Sequence, residues 1–322
     1  LCVINNFKGR WETIALFLWP LNTCMKITSF HVEASTHCNA RCPGCPRNIH
    51  GYNVKDYIKL QHLSPERYRQ IVDQYPDLNF VRINGGLGDP MMNPNIIKIV
   101  EHSNCLVQIT TNGSIGARKT FEDLAKLGTK IEFSIDGLAD TNHIYRQDVE
   151  WHKVMDRVKW FIDAGGTAIW KWVPFRHNRH QLEEAKLLSK TLGFDEFHVN
   201  AQGRDDFPAL DKQGNVSHWI QPHDREAREQ KIDTKALIEY HLKNAQFFPE
   251  TGKRFSIECE HLRGEVYITA GGKITPCCYH GTDVADRKSI SVEDFPRLEA
   301  TWNTLQCDPT CANSCGRLLT DY

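Results

Sequence analysis

Charge of one sign is the first thing this 322-residue chain lacks: 39 Lys and Arg stand against 40 Asp and Glu, for a formal net charge of −1. No block of like charges runs anywhere along it, so the electrostatic footprint of a nucleic-acid or acidic-lipid binder is missing. A neutral or small polar partner fits better. Long apolar runs are missing too. The stretch from Ile14 to Leu21 is far shorter than the roughly 20 residues of a membrane span, and no small-residue cleavage site follows it as in a secretory leader. These absences lead to the expectation of a cytoplasmic protein with neither nucleic acid nor membrane as partner. In that compartment twelve cysteines are not read as a disulfide framework, and thiols in clusters are read as metal ligands. A chain of this length can bury a full core and is expected to form one large domain plus a small one.

The densest cluster is His37-Cys38-Asn39-Ala40-Arg41-Cys42-Pro43-Gly44-Cys45-Pro46-Arg47, with three and then two residues between the thiols. Thiolate sulfur suits zinc and iron–sulfur clusters, and three thiolates on one short loop can hold three corners of a cubane. Structural zinc would want a fourth ligand, for which His37 and His50 are candidates. The usual zinc spacing, however, comes in pairs of Cys-x2-Cys.

Cys38-x3-Cys42-x2-Cys45, just after an apolar strand-like run, resembles the signature loop of the radical S-adenosylmethionine (radical SAM) superfamily. The resemblance implies that Cys38, Cys42 and Cys45 bind a [4Fe-4S] cluster whose fourth iron is chelated by the methionine part of SAM. It further implies reductive cleavage to a 5′-deoxyadenosyl radical and hydrogen abstraction from a peptide or small-molecule substrate. A low-potential donor such as flavodoxin or ferredoxin would supply the electron. One departure is Gly44, where the family usually has an aromatic residue.

Short β-branched runs alternate with amphipathic ones over the next 170 or so residues. Strands are expected at Ile27 to Val32, Phe80 to Asn84, Leu106 to Thr111, Lys130 to Ser134, Ala168 to Val173 and Glu196 to Val199. Helices are expected from Pro65, after Asn93-Pro94, over Phe121 to Leu127, over Trp151 to Ala164, and from Asn178 to Gly193. Five strand–helix units and a sixth strand indicate an α/β fold, an open partial (β/α)6 TIM-like barrel. In such a sheet the site belongs at the carboxyl ends of the strands. There the second strand runs into Gly85-Gly86-Leu87-Gly88-Asp89-Pro90, the third into Thr111-Asn112-Gly113, and the fourth into Ser134-Ile135-Asp136-Gly137. Glycines allow close approach of a ligand and an acidic group can pair with an ammonium, although a tight turn would read the same way. By resemblance, Gly86, Gly88 and Asp89 meet the methionine amino group of SAM, and Thr111 and Asn112 meet its ribose and carboxylate. Ser134 and Asp136 are similar to a Ser-x-Asp-Gly of related enzymes. Arg146, able to fork onto a carboxylate, is a candidate for that of SAM, with a surface ion pair as the alternative.

The tail is a second cysteine field: Cys259, Cys277-Cys278 and Cys307-x3-Cys311-x3-Cys315, with a hairpin expected around Ala270-Gly271-Gly272. It resembles the C-terminal auxiliary-cluster domains of the SPASM or twitch type. That implies an auxiliary [4Fe-4S] cluster on Cys259, Cys277 and two of Cys307, Cys311 and Cys315, with a second open if Cys278 and an outside ligand contribute. The domain reading is 1–24 as an N-terminal extension ahead of Met25, with a helix capping the barrel as the alternative, 25–200 as core, 201–258 as linker and lid, and 259–322 as the iron–sulfur domain. Two other classes are carried: a non-catalytic zinc-binding scaffold that keeps the barrel, and a SAM methyltransferase without radical chemistry, which would need no cysteine loop.

Overall fold

A computed structural model describes residues 27–200, 206–222, 255–257, 264–275 and 316–318. Its centre is a run of parallel strands, β1 (Ser29–Val32), β2 (Phe80–Asn84), β3 (Leu106–Thr111), β4 (Lys130–Ser134), β5 (Thr167–Trp172) and β6 (Glu196–Val199). Each pairs with the next in chain order. Six consecutive parallel strands with helical crossovers make the open half-barrel expected from the alternating pattern.

The helices are α1 (Pro65–Val72), α2 (Ile96–Ser103), α3 (Arg118–Lys126), α4 (Asn142–Tyr145), α5 (Trp151–Asp163) and α6 (Leu182–Leu192). Local chemistry sets their ends. Ser64 Oγ accepts from Arg67 N at 3.1 Å ahead of Pro65, and Gly193, at φ +88°, caps α6 in the left-handed region. Asn93, expected to cap α2, is buried instead and bridges Ala34 O and Leu63 O, while Asn95 takes the cap position. Two short elements lack a periodic signal, α4 and a 3-10 turn at Pro90–Met92.

Alternation along the strands separates two faces. Toward the helices point Phe133, which meets Phe121, Phe161 and Phe194, and Trp170, which meets Trp151, Phe194 and Phe197. Trp170 and Trp172 are fully buried, as core residues rather than a ring platform. Burying a ring of that size contributes on the order of 4 kcal/mol by area. The other face is lined largely by polar side chains.

Two segments beyond β6 form strand pairs of their own. Within the stretch expected to be a linker, β7 (Phe207–Leu210) and β8 (Val216–Ile220) form an antiparallel hairpin. It is tied down by Leu210 N to His50 O at 2.8 Å and by the ring of His218 against Ile144 O at 2.9 Å. The hairpin expected around Gly271 is present as β10 (Glu265–Ile268) and β11 (Ile274–Thr275), after the short β9 (Phe255–Ile257). β10 runs parallel to β1 and joins the central sheet. A last strand, β12 (Gly316–Leu318), pairs with β9. Cys259, Cys277, Cys278, Cys307, Cys311 and Cys315 lie outside the described residues, as do residues 1–24. Among the described residues, no helix is long and apolar enough to cross a membrane.

Candidate active site

β1 ends at Val32 and delivers the cysteine loop to the carboxyl edge of the sheet. Cys42 is buried, and Cys38 and Cys45 are half-buried. Burial pushes all three thiols up, Cys45 to about 11, and each of Cys38 and Cys45 is raised further by the neighbouring Cys42. Such thiols do not ionise on their own at neutral pH; a bound metal centre deprotonates them outright. N–H donors already face the sulfurs. Ala40 N lies 3.3 Å from Cys38 Sγ, Asn112 Nδ2 lies 3.8 Å from it, and Arg146 Nη1 lies 3.8 Å from Cys42 Sγ. Donors aimed at sulfur suit a thiolate-held cluster. The two histidines that could have completed a zinc site are stacked elsewhere, His37 on His62 and His50 on Phe207. No three Cys, His, Asp or Glu side chains among the described residues are set to grip a single ion. Three thiols on one loop, with N–H donors turned toward two of the sulfurs, are a donor set that fits an iron–sulfur cluster.

The loop is latched to its neighbours. Asn39 donates to Ser114 Oγ at 2.8 Å and accepts from Asn112 Nδ2 at 3.0 Å, while Arg41 pairs with Asp148 at 2.6 Å and Arg47 Nε reaches Thr36 O at 3.1 Å. The glycine stretch after β2 lies directly against it. A Cβ on Gly88 would stand 2.0 Å from Ser35 O and 2.7 Å from His37 O, and Asp89 N donates to His37 O at 2.8 Å. Gly88 is thus required by contact with the chain itself.

Glu33, which the sequence reading passed over, organises that contact. Gly86 N and Leu87 N donate to its Oε2 at 2.8 and 3.0 Å, and the Tyr267 hydroxyl of β10 donates to the same oxygen at 2.8 Å. Burial raises its pKa to about 7 against the pull of these donors. An acid immediately after an apolar strand and just ahead of the cysteines was the available signal.

Several residues expected to touch SAM have partners within the protein. Asp89 is buried and accepts from Thr111 Oγ1, Asn112 N and Met91 N at 2.8, 2.8 and 3.0 Å. Burial raises its pKa against those donors. Asp136 is fully buried between Arg146 Nε and Val173 N, both at 2.6 Å, so Arg146 forms an internal ion pair whose far edge looks at Cys42. Ser134 is buried at the end of β4. Gly86, Gly88, Asp89, Thr111 and Asn112 come together beside Cys38, whereas Asp136 and Arg146 gather on the Cys42 side.

A family model described as Radical SAM superfamily matches residues 32–186. A GTP 3′,8-cyclase of Desulforamulus reducens is 24% identical over 305 residues, covering 85% of this chain and 87% of that protein. One of Staphylococcus epidermidis is 24% identical over 148 residues, so that match spans 43% of each chain, less than half of the relative. Among solved structures, Streptococcus suis SuiB bound to S-adenosylmethionine aligns with a TM-score of 0.56 at 18% identity, over 90% of this chain and 68% of that one. At that identity the likeness extends to the fold.

Proposed function

We propose, from the match of residues 32–186 to the Radical SAM superfamily model, that the chain is a radical SAM enzyme that abstracts hydrogen from a peptide or small-molecule substrate. A [4Fe-4S] cluster carrying SAM would, when bound, supply the one-electron reductive chemistry for that abstraction. Cys38, Cys42 and Cys45 would hold that cluster. The single observation that carries the reading is the cysteine loop at the carboxyl end of β1, with N–H groups of Ala40, Asn112 and Arg146 aimed at two of its sulfurs.

The protein's own residues divide the remaining work. The glycine stretch through Gly86 and Gly88, with Asn112, forms the wall proposed to receive SAM. Asp89, Thr111, Asp136 and Arg146 hold that wall from behind, since their polar atoms already have partners. Ser134, at the end of the neighbouring strand, completes the rim. Cys259 and Cys277, with two of Cys307, Cys311 and Cys315, are proposed as ligands of an auxiliary cluster, and flavodoxin or ferredoxin as the class of electron donor.

Anaerobic reconstitution with iron and sulfide tests this. About four irons per chain are expected from the first loop, and about eight if the tail holds a second cubane. Reduction in the presence of SAM should yield 5′-deoxyadenosine, and Cys42→Ala should yield none. Colourless, zinc-loaded protein, or a Cys42→Ala variant that still makes 5′-deoxyadenosine, would overturn the reading.

A further inference from the structure

Strand interiors of closed (β/α) barrels are normally packed with branched apolar side chains. Here the inward row is polar. Register sets Asn84 of β2 opposite Thr110 of β3, Thr110 opposite Glu132 of β4, and Lys171 of β5 between Ser134 and His198. These share the face turned away from the aromatic layer of Phe133, Trp170 and Phe197. Polar groups removed from water are unfavourable unless hydrogen-bonded, so a polar interior beneath the cysteine loop is suited to hold a polar guest.

The charges in that row say which guest. Glu132 has a side chain only 7% exposed, and its Oε2 accepts from both Thr110 Oγ1 and Lys171 Nζ at 2.9 Å. Its other oxygen stands 3.7 Å from His198 Nδ1, and His198 Nε2 is 2.7 Å from Glu196. Lys171 is 28% exposed, and an ammonium has three donors. Glu132 takes one of them, and the partial exposure of the side chain leaves the ammonium within reach of a second partner. The Asn84 side-chain amide has no hydrogen-bond partner among the described residues. Thr110 lies two residues before Asn112, whose amide faces Cys38 Sγ, so the row sits about 7 Å below the cysteine loop along the strand.

We propose that the barrel interior bounded by Asn84, Thr110, Glu132, Lys171 and His198 binds a small polar substrate through its carboxylate or phosphate group. Lys171 pairs with the anionic oxygens, His198 lies at the open side, and Asn84 orients a neutral polar group of the same molecule. Glu132 is a positioning residue: it holds the ammonium in the row and, as its counter-ion, limits how tightly an anion is held. This deepens the radical SAM reading, which supplies the reactive end above the row.

The test uses cluster-loaded full-length protein and two probes, inorganic pyrophosphate and succinate, titrated calorimetrically. Saturable binding of pyrophosphate points to a phosphate-bearing substrate, and of succinate to a carboxylate-bearing one. Lys171→Met should weaken the bound probe about tenfold or more, and Lys171→Arg should restore most of it. Glu132→Gln should tighten binding several-fold, because it removes the competing carboxylate while its amide oxygen still accepts from Lys171. A merely structural Glu132 would weaken binding instead, and that result overturns the proposal. So does failure of both probes to saturate, or equal binding by Lys171→Met. The exposed Lys126→Met serves as control and should match wild type. The perturbation of the cluster's electron paramagnetic resonance by SAM, recorded on the same samples, reports separately on the radical SAM reading: if it is absent while anions bind, that reading fails and this one stands.

Discussion

Replacing Glu33 with glutamine isolates the energetics of the knot between β1, the glycine stretch and β10. The carboxyl is 1% exposed, and burial lifts its pKa from 4.5 to about 7 despite hydrogen bonds from Tyr267, Leu87 and Gly86. The sign follows from proton binding. Below about pH 4.5 folded and unfolded chains both carry the proton and the group is indifferent; between about pH 4.5 and 7 only the folded chain keeps it, so stability falls as pH rises. Above about pH 7 the loss is constant. Integrated between about pH 5 and pH 8, this one residue lowers stability by roughly 2 to 3 kcal/mol. The glutamine side chain keeps an oxygen for the Gly86 and Leu87 N–H groups and does not titrate. Urea unfolding of both proteins across that range, compared through midpoints at matched slope, should show the wild type losing that amount relative to Glu33→Gln. Parallel pH profiles would refute the reasoning, because they would mean that three hydrogen bonds outweigh burial and the carboxylate stays charged when folded.

Two further outcomes follow from the cysteine loop. The Arg146 guanidinium lies 3.8 Å from Cys42 Sγ; at an effective dielectric of about 20 a unit charge there is worth roughly 4 kcal/mol gross, much of it offset by Asp136. Arg146→Met should therefore lower the cluster midpoint potential by on the order of 50 mV or more in a spectroelectrochemical titration, and an unchanged potential would exclude electrostatic contact with the cluster. Gly88→Ala inserts a methyl 2.0 Å from Ser35 O, so the backbone must shift, at a stability loss of about 1–3 kcal/mol. Iron retention after reconstitution should fall with it, and wild-type iron content at wild-type stability would show that the loop does not lean on the cysteine segment.

The barrel was legible because its signals are local. β2, β3, β4 and β6 begin and end at the residues expected, since short β-branched runs there are bounded by Gly, Asn and Asp. The position of the cysteine loop was legible for the same reason. Long-range partnerships were not. Nothing near Asp136 announces that Arg146 will close on it, and Asp89 reads as an exposed loop acid until Thr111 and Asn112 arrive from the next strand. The polar row inside the sheet was visible as alternation in Lys130-Ile131-Glu132-Phe133-Ser134, yet that pattern equally describes a half-solvated strand. The hairpin at 207–220 was hidden by its composition, for Pro208, Ser217 and His218 mask a pairing that tertiary contacts with His50 and Ile144 stabilise.

The parallel seat of β10 beside β1 bears on how the polypeptide assembles. Tyr267 and Glu33 are 234 positions apart, and until the later segment emerges from the ribosome, the leading strand has one naked border. Closing so distant a pair makes a high entropic demand and slows acquisition of the native state. Because the tyrosine hydroxyl reaches the same carboxyl that steadies the glycine stretch, the last tie on that stretch comes from a segment translated long after the thiols themselves.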